Sequence, residues 1–351
     1  MTAERLGFRL ACPHDKAPLT EDAAGLHCAA CGALYPVVAG VPVLIDDTSS
    51  VFTVADFARS GGYAGASYGR DADGASGARR LYHRLARWLG DAPSSLHHPD
   101  AAEVLAWRAA QGPPPRVLVV GSGGITLGGP GDRVLQTDVA FGPGVHVIAD
   151  AHDLPFEPAA FDLVIAVAVL EHVVDPERCV AEIHRVLAPG GHVYAVTPFL
   201  QPVHMGAHDF TRFTPIGHRR LFRHFDEVAA GVALGMGSVL AFTFGAALLS
   251  VSQARAWRLP ARFLALLATP LLRRLDGVLR HGADAAGGCW FLGERRGGAP
   301  ISDRALVASY HTGFRQCPGS LPPRKALNPS PPASPPPAAP EPAASGSTWH
   351  A

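Results

Sequence analysis

The 351-residue chain is poor in charge: 17% of its residues are Asp, Glu, Lys or Arg, against about 25% in an average soluble protein. Its 30 basic residues balance its 30 acidic residues. Because a neutral chain has no bulk attraction for a phosphate backbone, this composition counts against a dedicated nucleic-acid-binding protein. The 48% of hydrophobic residues suffices for a sizeable core, and the length fits one large domain with additions, or two domains.

Cysteines are also few. Six of them in a chain of this length do not indicate a disulfide-stabilised scaffold. The residues before Cys12 lack the apolar run of a secretory signal, so we expect a cytoplasmic protein.

Composition divides the chain into four regions. We interpret them as a small cysteine-containing unit (1–48), a linker with N-terminal helices (49–112, with an amphipathic run at 81–89), an α/β domain with apolar C-terminal helices (113–300) and a Pro/Ala-rich tail (301–351). The tail holds 11 prolines between residues 318 and 342, and we expect it to be disordered because it has little apolar surface to bury.

The third region alternates short β-branched runs with helical spacing. Strands are predicted at 116–120, 134–137, 161–166 and 191–196. Asp175 followed by Pro176 predicts the start of a helix, and Pro189 followed by Gly190 predicts its end. Strands that alternate with helices predict a parallel sheet with helices on its faces.

The first of these strands runs into the turn Gly121-Ser122-Gly123-Gly124, where the missing Cβ atoms let the backbone approach a ligand. The nicotinamide-cofactor fingerprint G-x-G-x-x-G requires glycine at the position of Thr126, which disfavours that cofactor. Asp138 ends the next strand, where a carboxylate can accept both ribose hydroxyls of an adenosine.

Further motifs follow in a fixed order. They are Asp150-Ala151-His152-Asp153-Leu154-Pro155-Phe156, then Phe161-Asp162, then Leu170-Glu171-His172-Val173, and then R-V-L-A-P-G-G at 185–191. With the glycine turn and Asp138, this order resembles the class I S-adenosylmethionine-dependent methyltransferases of the type 11 group, over residues 115–230. The resemblance implies a Rossmann-like sheet with helices on both faces, S-adenosylmethionine as cofactor and methyl transfer as activity.

The resemblance also implies roles for individual residues. Gly121, Ser122 and Gly123 pass under the methionine part of the cofactor, and Ala168 lies beside the sulfonium. Asp138 holds the ribose. Asp150 and the Ala151 backbone meet the amino edge of the adenine, and Leu154 packs on the adenine ring. Val119 departs from the family, which usually has Asp or Glu there to orient the amino end of the cofactor.

Candidate catalytic residues follow the fourth and fifth strands. Methyl transfer depends mainly on alignment of donor and acceptor, and a base is needed only when the acceptor is a hydroxyl or a weakly acidic nitrogen. His172, His204 and His208 are the candidate bases, since histidine suits proton transfer near neutral pH. Asp209 beside Arg212 indicates either an acceptor contact or a structural ion pair.

The cysteine-containing unit resembles a Trm112-type zinc ribbon, whose usual pattern is C-P-x-C followed by C-x-x-C. Here Cys12, Cys28 and Cys31 match three positions, and Asp15 stands at the fourth. The resemblance implies zinc held by Cys12, Asp15, Cys28 and Cys31, with His14 or His27 as substitute ligands. The alternative is a ribbon that folds without metal.

Residues 236–275 are apolar and have arginines around them. One interpretation is a helical cover over the sheet, and the other is peripheral contact with a membrane. The uncharged run 228–254 is long enough to span a bilayer, but its glycines disfavour a span.

The predicted function is therefore methyl transfer from S-adenosylmethionine to a small-molecule, sugar or lipid-linked acceptor. A first alternative is an RNA base methyltransferase, which the zero net charge disfavours. A second is a non-catalytic binding or scaffold protein on the same fold, suggested by Val119 and Asp15.

Overall fold

The computed structural model describes residues 7–60, 98–124, 126–129, 131–279, 283–312 and 321–322, and the chain up to Leu321 forms one compact unit. The strands are β1 Leu19–Asp22, β2 Gly25–Cys28, β3 Leu34–Tyr35, β4 Val37–Val38, β5 Val41–Leu44, β6 Arg116–Val120, β7 Arg133–Asp138, β8 Val147–Ala149, β9 Phe161–Val167, β10 Leu187–Pro198, β11 Phe225–Leu234 and β12 Gly288–Arg295. The helices are α1 Val54–Ser60, α2 Ala101–Ala109, α3 Pro176–Val186, α4 Pro215–Leu221, α5 Met236–Ser250, α6 Arg255–Arg274 and α7 Asp303–Thr312. The predicted helical run 81–89 lies outside the described residues, as does the proline-rich stretch apart from 321–322.

A nine-stranded sheet organises the chain, in the order β11-β12-β10-β9-β6-β7-β8-β5-β4. The pairs β10–β9, β9–β6, β6–β7 and β7–β8 are parallel, and β12 runs antiparallel to both β10 and β11. The part from β6 to β12 has the Rossmann-like class I methyltransferase fold, which confirms the predicted fold class. All four strands predicted from the sequence are present, and β10 begins earlier than expected because helix α3 passes directly into it.

Helix α3 begins where the sequence predicts. The Asp175 side chain accepts a hydrogen bond from the backbone N–H of Arg178, and Pro176 occupies the first turn, where its missing N–H costs nothing. Val180, Ile183 and Val186 form the buried face of the helix. These residues join a large core cluster that spans the sheet.

The N-terminal unit shares this sheet and core. Its strands β1, β2 and β3 form a small antiparallel sheet, and β5 pairs in parallel with β8, the last strand of the α/β domain on that side. The Phe8 ring stacks on Phe161 of β9 with 5.0 Å between centroids. The pairing of β5 with β8 also covers an edge of β8 that would otherwise be exposed.

Helix α7 corrects the predicted boundary of the tail. It lies within the region expected to be disordered, and Leu306 on it is buried. An ion pair between Asp303 and Arg220 links α7 to α4. Local composition did not indicate this helix, since its stability depends on a partner distant in the sequence.

Helices α5 and α6 form a hairpin between β11 and β12. Among the described residues, no helix is both long enough and apolar enough to cross a membrane. The hairpin is closed by Asp276, which is fully buried: its carboxylate accepts hydrogen bonds from the backbone N–H groups of Gly237 (2.6 Å) and Ser238 (3.2 Å) and from the Ser238 hydroxyl (2.9 Å). Asp276, which lies just after the last residue of α6, thus accepts hydrogen bonds from N–H groups at the start of α5 that have no partner within that helix.

We predict that Asp276→Ala lowers the free energy of unfolding by about 2–4 kcal/mol, because it leaves several buried donors without an acceptor. Denaturant titration measures this change. The control is Asp226→Ala, which breaks an exposed ion pair with Arg296, a contact of a type that contributes about 0–1 kcal/mol. Equal losses in the two variants would contradict the proposed closure of the hairpin.

Candidate active site

A cavity of about 460 Å³ opens at the carboxyl ends of the parallel strands, a volume in the ordinary range for small-ligand sites. Gly121 and Ser122 after β6, Asp138 at the end of β7, Asp150 after β8 and Ala168 after β9 all contribute to its wall. Open α/β sheets bind ligands at this edge. The binding crevice forms where the connections that follow two neighbouring strands go to opposite faces of the sheet.

The glycine turn is built as the sequence predicts. Gly121 and Gly123 both have a φ of 63°, in the left-handed region that glycine adopts without strain. A Cβ atom on Gly121 would lie 2.5 Å from a methyl carbon of Val169, so the turn after β6 packs closely on the turn after β9. Glycine is therefore required at residue 121 for both its backbone conformation and the space available.

Asp138 joins this turn to the second strand. Its carboxylate accepts hydrogen bonds from the backbone N–H of Gly123 at 2.9 Å and of Ala140 at 3.1 Å, and from the Ser122 hydroxyl at 3.4 Å. The side chain is 3% exposed and contributes to the cavity wall. An acidic group thus lies beside the glycine turn, where the sequence places the ribose-binding carboxylate.

Asp150 lines the cavity together with Ala151. Its carboxylate accepts bonds from the Ser50 hydroxyl at 2.5 Å and from the backbone N–H of His152 at 3.0 Å, and it pairs with the His152 ring. These contacts lower the pKa of Asp150 even though burial acts to raise it, so its charge is retained at neutral pH.

Leu154 is not among the residues of the cavity wall. Its side chain is fully buried in the large core cluster, and its contact with an adenine ring stays a prediction. The short helical turn at Ala151–Asp153 directs Leu154 inward, and Arg185 fixes this position by donating to the Leu154 carbonyl.

Val119 also contributes to the cavity wall, so a carboxylate at its position would face the ligand. Asp100, whose side chain caps helix α2, also contributes to this wall. Ala168, at the exit of β9, has a φ of 55°, an unusual conformation for a residue with a Cβ atom. Strained backbone of this kind is common at ligand sites.

The N-terminal region contributes residues that the sequence did not single out. Val51 and Phe52 lie in the cavity wall, and the Ser50 hydroxyl donates to Asp150. The Ser49 hydroxyl donates to Asp153 at 2.7 Å. No local motif indicates this role, because it depends on the pairing of β5 with β8 across about a hundred residues.

The three candidate catalytic histidines lie close together, and two of them line the cavity. The rings of His172 and His204 are 4.7 Å apart, and His172 and His208 line the cavity. The His208 ring stacks on Phe52 with 5.7 Å between centroids. Glu171, treated from the sequence only as part of a wall motif, is 1% exposed beside them, and burial raises its pKa to about 7.

Asp209 and Arg212 form a bidentate ion pair within the loop that follows β10. Hydrogen bonds from Arg212 are the main cause that lowers the pKa of Asp209 to about 2. The guanidinium also donates to the Gln201 carbonyl at 3.2 Å, so the pair holds the loop in shape. This geometry favours the structural interpretation of the pair.

The four predicted metal ligands of the N-terminal unit also come together. The sulfur atoms of Cys12 and Cys31 lie 3.7 Å apart, and the Cys28 sulfur lies 3.3 Å from a carboxylate oxygen of Asp15. One ligand atom from each of the four residues falls within 4.8 Å of the others. Tetrahedral zinc with Zn–S bonds of ~2.3 Å separates two sulfur ligands by about 3.8 Å, so the spacing suits zinc.

Residues 133–195, from β7 into β10, match the family described as "Methyltransferase domain". The match agrees with the methyltransferase domain that the sequence predicts, for which S-adenosylmethionine is the expected cofactor. The tocopherol O-methyltransferase of Arabidopsis thaliana chloroplasts is 48% identical over 50 residues, 14% of each chain. An uncharacterized 37.1 kDa protein of a Streptomyces fradiae transposon is 42% identical over 57 residues, 16% of each chain.

The matches thus span about one seventh of the length of these curated relatives. Solved structures with related folds include phosphoethanolamine N-methyltransferase 2 of Haemonchus contortus bound to S-adenosyl-L-methionine, which is 14% identical with a TM-score of 0.36 over 64% of this chain and 61% of that one. Another is the [4+2]-cyclase SpnF, 19% identical with a TM-score of 0.33 over 62% of this chain and 93% of that one. Scores this low indicate nothing about the reaction.

Proposed function

We propose that the chain is an S-adenosylmethionine-dependent methyltransferase that acts on a small-molecule, sugar or lipid-linked acceptor. The observation that carries the proposal is the cavity at the carboxyl edge of the sheet, where the glycine turn and the buried Asp138 lie side by side. A turn that admits close backbone approach and an acceptor for ribose hydroxyls are the two features that an adenosine-containing sulfonium cofactor requires.

The cofactor supplies an electrophilic methyl group, and the chain supplies alignment. We assign Gly121, Ser122 and Gly123 to the methionine part, Asp138 to the ribose, and Asp150 and the Ala151 backbone to the adenine. Asp100 is the candidate acceptor for the amino group that Val119 cannot bind. Ala168, whose backbone N–H donates to the Val196 carbonyl at 2.9 Å, fixes the exit of β9 beside the reacting centre.

We assign the acceptor to the part of the cavity lined by His172 and His208, with His204 beside them. His208 is the candidate proton acceptor for a hydroxyl or amine, since its ring lies in the cavity wall against Phe52. Zero net charge continues to disfavour an RNA acceptor. A scaffold protein on this fold would not need cofactor affinity, so cofactor binding separates that alternative from the enzyme.

We further propose that Cys12, Asp15, Cys28 and Cys31 hold a structural zinc ion. The spacing of their ligand atoms supports it, and Ala17 donates a backbone N–H to Asp15, which lowers the pKa of that carboxyl to about 2 and keeps it charged. The Tyr35 hydroxyl lies 3.2 Å from the Cys12 sulfur, a contact of the kind that orients metal ligands.

The exposed face of helix α6 is a candidate for contact with an anionic membrane surface. Leu264, Leu267 and Leu271 follow helical spacing and are 51%, 62% and 66% exposed. The helix contains five arginines and no acidic residue. An apolar stripe flanked by arginines is typical of helices that lie flat on negatively charged lipid.

For the cofactor site, we predict that Asp138→Ala weakens S-adenosylhomocysteine binding by about 1.5–3 kcal/mol, the range for hydrogen bonds to a charged group, or about 10- to 150-fold in Kd. Calorimetric titration measures this loss of affinity. The control, Asp132→Ala, removes a carboxylate that accepts from Gly129 but lies outside the cavity wall, and it should bind normally. Unchanged affinity in Asp138→Ala would overturn the ribose assignment, and wild-type protein without affinity would favour the scaffold.

For the ribbon, cobalt substitution should give thiolate-to-metal charge-transfer absorption at one equivalent, because three of the ligands are cysteines. Cys28→Ser should lose this absorption, while Cys179→Ala, which removes a cysteine that lies outside the cluster, should keep it. Folded wild-type protein that shows no such absorption would establish a ribbon that needs no metal.

For the membrane surface, the double variant Leu267→Gln, Leu271→Gln should bind vesicles of phosphatidylcholine with phosphatidylglycerol at least about tenfold more weakly than wild type, because burial of each leucine contributes up to ~1.5–3 kcal/mol. Co-sedimentation measures the binding. Val307→Gln, a change at an exposed apolar residue on α7, is the matched control. If wild type, control and double variant all bind alike, α6 is only a cover over the fold.

A further inference from the structure

Among the residues that the structure describes, the carboxylate of Glu171 has no hydrogen-bond partner although it is buried. The side chain is 1% exposed, and neither of its oxygens accepts a hydrogen bond within the described part of the chain. Burial of an unpaired carboxylate is costly. Its backbone carbonyl, by contrast, accepts from the N–H groups of Phe210 at 2.8 Å and Thr211 at 3.2 Å, so the loop after β10 is anchored around it.

Two imidazoles face this carboxylate through the same ring nitrogen. The Nε2 atom of His172 lies 3.7 Å from Oε1 of Glu171, and the Nε2 atom of His204 lies 4.0 Å from the same oxygen. The positive charge of Arg212 favours the ionised form of Glu171. The guanidinium itself is held in the bidentate pair with Asp209.

The opposite nitrogens of both rings have partners of their own. Nδ1 of His172 lies 2.7 Å from the His208 carbonyl, and Nδ1 of His204 lies 3.4 Å from a carboxylate oxygen of Asp209. A carbonyl accepts only from N–H, so Nδ1 of His172 carries a proton, and in the neutral ring Nε2, which faces Glu171, is the nitrogen that can bind a metal. Histidines that bind metals are oriented in this way, with the far nitrogen bonded to a carbonyl or a carboxylate.

We infer that Glu171, His172 and His204 form a binding site for a divalent transition-metal ion. One ligand atom from each of the three residues lies within 4.8 Å of the others. Metal–nitrogen bonds of ~2.0–2.1 Å place tetrahedral ligands about 3.4 Å apart, so the rings need to move inward by less than about 1 Å. Two imidazoles and one carboxylate suit zinc, iron, cobalt or manganese better than the all-oxygen ions calcium and magnesium.

Three protein ligands leave at least one coordination position for another molecule. His172 also lines the cofactor cavity, so that position lies at the acceptor end. An oxygen atom of the acceptor is a suitable fourth ligand, a consequence that rests on the proposed function. The metal site itself does not depend on methyl transfer.

Titration of the full-length, chelator-treated protein with cobalt(II) tests the inference. In wild type the cysteine cluster contributes the thiolate charge-transfer band, so ligand-field absorption that grows with no further charge transfer reports the site of nitrogen and oxygen ligands. We expect one saturable equivalent of this second kind in wild type. His204→Ala, which changes a partly exposed residue, and Glu171→Gln, which keeps the side-chain shape, should each weaken the binding at least tenfold.

His208→Ala is the matched control. It removes an imidazole from the same loop but keeps the carbonyl that orients His172, so cobalt binding should persist. Absence of the cobalt site in wild type, or equal binding in folded His204→Ala and Glu171→Gln, would overturn the inference and indicate that protonated histidines neutralise Glu171 instead. S-adenosylhomocysteine affinity, measured on the same proteins, should be unchanged in His204→Ala, which separates failure of the metal site from failure of the cofactor site.

Discussion

The hydrogen bonds of the Asp138 carboxylate to the turn after β6 are the contact on which the site depends. They hold Gly123 and Ser122 against the end of β7 and bring a negative charge to the cavity wall. This turn packs closely on Val169 because Gly121 has no Cβ atom. Glu171 and His172 follow Val169 closely, so one short segment links the glycine turn to the histidine cluster.

The segment that directly follows the N-terminal unit completes the same cavity. Pairing of β5 with β8 directs the chain across the carboxyl edge of the sheet, where Ser50 reaches Asp150 and Phe52 meets His208. The N-terminal unit therefore acts on the site through the position that it gives to Ser50 and Phe52.

Much of the α/β domain follows from local sequence. The strands that end at Val120, Asp138 and Val167, and the helix capped by Asp175, were predictable because their periodicity, caps and turns lie within a few residues of each other. The glycine turn was predictable for the same reason. Its contact with Asp138 follows from the rule that adjacent parallel strands end at one edge.

Features that depend on distant partners were not predictable. Strand β12 is specified by its antiparallel pairing with β10 and β11, and helix α7 by its contact with α4. The inward position of Leu154 depends on Arg185. The environment of Glu171 is created by a loop some thirty residues later, so its sequence motif reveals neither its burial nor its lack of a partner.

A crystal structure of the full chain with S-adenosylhomocysteine is the direct test of the cofactor site. We predict density for the ligand in the cavity at the carboxyl edge of the sheet, with the ribose hydroxyls on Asp138 and the adenine beside Asp150 and Ala151. Density elsewhere, or a ribose turned away from Asp138, would contradict it.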